Sequence, residues 1–72
     1  MKDYKKRMVK EFDDLNKRTN KLDKMLRKFR VGKLDFEPDC TYGLMKRQLD
    51  AMMEYRECLK IRAVIEDVDL EY

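Results

Sequence analysis

Apolar side chains, joined by one threonine, recur through the first half of the chain at Tyr4, Met8, Phe12, Leu15, Thr19, Leu22, Leu26 and Phe29. The steps of three and four match the 3.6-residue period of an α-helix. At 100° per residue these positions and Met25 share an arc of about 140°, the stripe of a helix packed along one side. Gly32 stands where that helix should stop, because a residue without Cβ takes the left-handed conformation at little cost. A helix over about residues 3–31 is roughly 43 Å long. In a chain of 72 residues, such a rod leaves room for little besides a second rod to cover its stripe.

Residues 32–41 carry Gly32, Asp35, Pro38 and Asp39, lose the helical period, and read as a ten-residue connecting loop. Leu34 and Phe36 alternate with charges there and are expected to fold over the hairpin end as a plug. Asp39 or Thr41 can cap a second helix, over about residues 42–66, with Gly43 weakening its first turn. On that helix Met45, Leu49, Met52, Leu59 and Ala63 form one face. Leu44, Ala51, Tyr55, Cys58 and Ile65 widen the apolar region on one side, and Met53 and Val64 on the other. The arc exceeds about 200°, whereas a helix with one neighbour needs little more than about 100°. The tail, residues 67–72, alternates apolar and acidic side chains and reads as extended and lying on a neighbour. The fold class is therefore all-α: one domain over residues 1–72, an antiparallel two-helix hairpin with a short extended C-terminal tail, assembling as a homo-oligomer.

Self-association also follows from size. Below roughly 70–80 residues a lone core seldom supplies more than about 3–5 kcal/mol, so small domains lean on disulfides, a metal or further copies. The two cysteines, Cys40 and Cys58, have no framework spacing, and with no histidine in the chain no metal site is expected. The segment from Met1 to Arg7 lacks the apolar core of a signal peptide, and no stretch approaches a membrane span. A cytosolic protein with reduced thiols and no membrane partner is the expectation.

Charge separates along the chain. Residues 1–33 hold 13 Lys/Arg against 5 Asp/Glu, a balance of +8, while residues 34–72 hold 5 against 10, a balance of −5. A basic half and an acidic half favour pairing with each other and leave a basic surface for an anionic partner. Lys5, Lys6, Lys10, Lys17, Lys21, Lys24 and Lys28 form most of the outer face of the first helix. Asp13, Asp14 and Asp23 interrupt it, so duplex nucleic acid is not the expected partner.

Without histidine, serine or a glycine-rich phosphate loop, the usual nucleophile and base arrangements cannot be assembled, and the chain does not read as an enzyme. No cofactor is expected. Acidic neighbours such as Asp13 and Asp14 read as solvated surface, and Cys58, on an apolar face, reads as packing. More informative are polar side chains within or beside the apolar arcs, since burying a charge is costly unless it is paired or bound. Arg7, Arg18, Arg56 and Arg62 offer planar forks for phosphate. Tyr4 and Tyr55 offer rings on which a base can stack, and Gln48 can read a base edge. The plainer alternative is that Arg7 with Glu11, and Asp14 with Arg18, form surface ion pairs at i, i+4 spacing.

The run from Gln48 to Arg62 resembles the second-helix pattern QLxxMxxYxxxLxxR of small phage proteins first catalogued in crAss-like phages of the gut. Tyr4, Arg7, Met8, Glu11, Leu15, Leu22 and Leu26, then Leu34-Asp35-Phe36 and Pro38, extend the likeness over nearly the whole chain. Asp67 departs from it, where the family often has glycine. More distantly the chain resembles the helical-hairpin anti-CBASS proteins of phages, sponges for cyclic oligonucleotide signals. That resemblance implies a homo-oligomer, a hexamer, in the host cytoplasm that sequesters cyclic dinucleotides or trinucleotides between protomers without cleaving them. By the same resemblance Tyr4 stacks on a base, and Arg18 and Arg62 hold phosphate. A helical module that blocks a host defence protein is the alternative.

Overall fold

The computed structural model describes residues 2–70. Two helices make the fold, α1 over Asp3–Arg30 and α2 over Tyr42–Ile65, with no strand among the described residues.

Each helix end is built by identifiable local chemistry. At the end of α1, Gly32 takes φ +72°, and its N–H donates to the Phe29 carbonyl at 3.1 Å while that of Lys33 donates to Lys28 at 2.9 Å. This pair of bonds is a Schellman motif, which satisfies carbonyls the helix itself cannot reach. Arg27, Lys28 and Arg30 place positive charge on the negative end of the helix dipole. Of the two candidate caps for α2, Thr41 acts: its Oγ1 accepts from the Leu44 N–H at 3.2 Å. The end of α2 repeats the Schellman motif, with Asp67 donating to Val64 at 3.3 Å and Val68 to Ala63 at 2.8 Å. Here the left-handed position, φ +55°, is held by Asp67.

The stripe of α1 faces α2 in antiparallel register. Met8 packs with Ala63 and Val68, Phe12 and Leu15 with Leu59, and Leu26 with Met45 and Leu49. Thr19 is buried in the stripe, and its hydroxyl donates to the Leu15 carbonyl at 2.7 Å, so no polar group is stranded there. Phe29 and Tyr42 meet edge to face with ring centroids 5.7 Å apart and join the helices at the loop end.

Four expectations are corrected by this packing. Val68 is buried against Met8 and Ala63, and Leu70 packs beside it, so the described part of the tail folds onto its own hairpin. The hydrophobic contact between the residue past a Schellman turn and the last helical turn is the cause. Residues 71 and 72 lie outside the described residues. Leu34 is half-buried but Phe36 is 54% exposed, so the loop does not plug the hairpin end with both side chains. Tyr4 lies at the edge of the α1 stripe and stays 42% exposed. Cys58 is exposed, because it lies in step with Leu44, Ala51 and Ile65 on the side of α2 turned away from α1.

The hairpin measures 45 × 18 × 17 Å with a radius of gyration of 14.9 Å, against about 11 Å for a compact domain of this length. Its accessible surface of 5888 Å² exceeds the roughly 4,800 Å² of a compact monomer of its mass. Two side-by-side rods cannot enclose a cavity, so any site is an open groove along their edge or at their end.

Candidate functional site

Arg7, Glu11, Asp14 and Arg18 succeed one another by four, three and four residues, which puts them along one edge of α1 beside the buried stripe. Tyr55 reaches the same edge from α2, and its hydroxyl donates to the Glu11 carboxylate. With Lys10 and Leu15 these residues line an open groove of about 360 Å³, at the small end of the range for ligand sites. Three cations and two carboxylates border it, so the balance is one positive charge.

The ion pairs suggested by sequence spacing do not form here. Asp14 is taken by Lys10, at 3.1 Å, and Glu11 by the tyrosine. Arg7 and Arg18 are left without a carboxylate partner among the described residues. A guanidinium without a partner beside an aromatic ring can hold an anion bidentately, while the ring offers a stacking face.

The remaining candidates are distributed around this groove. Gln48 and Arg62 stand seven residues before and after Tyr55, two turns either way, on the same exposed side of α2. Gln48 makes a long contact from Nε2 to the Met52 sulfur at 3.9 Å. Tyr4 lies one turn before Arg7, and its hydroxyl donates to Glu66 at 2.9 Å, tying the start of α1 to the end of α2. That hydrogen bond to a carboxylate is the main reason its phenol ionises above the usual tyrosine range, with burial and the charge of Glu66 adding to it. Arg56 lies on the other flank of the hairpin. Its Nη1 donates to Asn16 at 3.0 Å and Asn20 at 3.5 Å, and its buried Nε has no hydrogen-bond partner among the described residues. The structure thus brings Arg7, Arg18 and Tyr55 together, lines up Gln48 and Arg62 with them, and puts Arg56 elsewhere. Lys10 is the groove residue that sequence reasoning left on the general basic face. Its signal was its position one turn after Arg7.

Among the described residues no group of three or more cysteine, aspartate or glutamate side chains is placed to hold a metal ion. None of the helices is long and apolar enough to cross a membrane. The fold and groove define a class: a short two-helix hairpin with an open, polar groove along one edge. The chain belongs to the Sequestin family, whose model matches residues 2–65, all of both helices and the loop between them. The family's name denotes sequestration, which is binding and holding rather than turnover. No curated protein and no solved structure matches the chain.

Proposed function

We propose that this protein is a phage anti-defence sponge that binds cyclic oligonucleotide messengers in the host cytoplasm and holds them, uncleaved, at interfaces between its own copies. The observation that carries the reading is the pair Arg7 and Arg18, both without ion-pair partners among the described residues, lining one groove with Tyr55. Guanidinium forks match phosphate oxygens and the ring matches a base. Gln48 and Arg62, in line with Tyr55, extend the same edge for a second nucleotide. Tyr4, by resemblance a base-stacking residue, stands at its other end.

One hairpin leaves such a ligand open to water on most sides, and a second copy is the simplest wall. Leu44, Ile61, Val64 and Ile65 are 54–80% exposed on the outer side of α2, where further subunits can cover them. The surface in excess of a compact monomer, on the order of 1,000 Å², is comparable to the roughly 800 Å² each partner buries in a standard interface. A hexamer is the assembly that the resemblance implies.

A thermal-shift and calorimetry panel of cyclic di- and trinucleotides tests the reading. A ligand at about 100 times its dissociation constant stabilises the fold by about 2.7 kcal/mol. Arg18→Ala should weaken binding about 10–100-fold, the worth of one charge-assisted contact. Recovery of intact ligand from the complex separates holding from turnover. No stabilisation by any member of the panel near 100 μM would contradict the proposal. The exposed Ile61, Val64 and Ile65 also favour a second reading, a module that packs on a host defence protein. It predicts a monomer or dimer, with that patch free until the host protein is added.

A further inference from the structure

The loop end of the hairpin carries a second concentration of charge, separate from the groove around Arg7, Arg18 and Tyr55. Lys21, Lys24 and Lys28 succeed one another by three and four residues, on one side of the last turns of α1. The Schellman turn at Gly32 then reverses the chain and lays Lys33, Leu34 and Phe36 back against those turns. Residues as far back as Lys21 and as far forward as Phe36 therefore border one groove of about 370 Å³.

Four lysines and a single carboxylate, Asp35, line it. Lys10, Lys17, Lys46 and Lys60 each lie within 3.2 Å of a carboxylate, whereas among the described residues Lys2, Lys5 and Lys6 at the start of α1 do not. Lys21, Lys24, Lys28 and Lys33 have no such partner among the described residues. Four ammonium groups against one carboxylate give the groove a positive balance that attracts an anion. At their border Phe36 leaves 54% of its surface in water, and Met25 adds a polarizable apolar floor. An inorganic ion has no use for that ring. A nucleotide does.

We propose that this groove is a second ligand site, one that takes a small nucleotide, its phosphates among Lys21, Lys24, Lys28 and Lys33 and its base against Phe36 and Met25. The ammonium groups are point charges on flexible stems, so they recognise the number of phosphates rather than their geometry. The site tolerates different bases, because stacking on one phenyl ring does not read base edges.

Isotope-labelled full-length protein titrated with ATP, with tripolyphosphate and with adenosine tests the site through its backbone and Phe36 ring resonances. ATP should shift residues 21–36 and the Phe36 ring in the wild type. The same shifts should persist in Arg18→Ala, which damages the other groove. Phe36→Ala should weaken ATP by at least about 5-fold, the low end of one stacking contact, and leave tripolyphosphate unchanged. The double variant Lys21→Glu with Lys28→Glu should abolish both. Equal affinity of wild type and Phe36→Ala for ATP would overturn the proposal, since the site would then be a sink for any polyanion. Shifts confined to Arg7, Arg18 and Tyr55, or no shift at about 1 mM ATP, would overturn it too. So would a single-stranded oligonucleotide binding more tightly than ATP with a steep salt dependence. These outcomes leave the proposed cyclic-nucleotide groove untouched, because that groove is read by Arg18→Ala and not by Phe36→Ala.

Discussion

Asp67 holds a left-handed conformation that costs any residue with a Cβ, and does so to let Val68 reach the core beside Ala63. Replacing Asp67 with glycine is expected to raise stability by about 0.5–1 kcal/mol, measured as an upward shift of the urea midpoint at unchanged slope. The equivalent position of α1 is already glycine, and Gly32→Ala should cost about the same amount. Gly32 was readable in the sequence as a terminator. At Asp67 the helix end and the glycine of the resembling family were legible, but the positive φ of the aspartate itself was not, since it goes with the burial of Val68. Tyr4 supplies a pH test at the same scale. Its ionisation is pushed above the usual value near 10 by donation to Glu66. A raised folded-state pKa means that the contact contributes fully below the unfolded value and is lost as pH rises through the folded one. Of the four tyrosines in the chain, one should titrate earlier in Glu66→Gln than in the wild type when tyrosinate absorbance is followed. An unchanged titration would remove the Tyr4 bond from the account.

The two helices differ in how much of themselves they disclose. The stripe of α1 is narrow and periodic, so its buried members Met8, Phe12, Leu15, Thr19 and Leu26 could be picked out directly. On α2 apolar residues spread round most of the circumference. Met45, Leu49, Leu59 and Ala63 were separable as the inner face, but Cys58 was not separable from packing because its neighbours on the wheel are also apolar. The groove was half-legible for a similar reason. Spacing placed Arg7, Glu11, Asp14 and Arg18 on one edge, yet which carboxylate each cation takes depends on Tyr55 arriving from the other helix. Phe12 is 1% exposed at the middle of the helix contact. Phe12→Ala should cost about 3–5 kcal/mol, comparable to all that a lone core of this size supplies. Circular dichroism of that variant at low concentration should show loss of the cooperative melt. A retained melt within a few degrees of the wild type would mean that stability resides elsewhere than between α1 and α2.

For the whole molecule, length, exposure and charge point the same way. A 45 Å hairpin with Leu44, Ile61, Val64 and Ile65 in water presents more apolar surface on α2 than α1 can cover. The arginines and lysines without ion-pair partners among the described residues lie along its edge and at its loop end, in open grooves. Both features become intelligible if copies of the hairpin pack through the outer side of α2 and wall off bound nucleotide. The most direct measurement is the solution mass of the intact, untagged chain by sedimentation equilibrium, at about 10 μM and without ligand. The account predicts a discrete multiple of 8.9 kDa that falls to the single-chain mass when Ile61 and Ile65 are both changed to glutamate. A folded, cooperatively melting particle of 8.9 kDa in the wild type would contradict it.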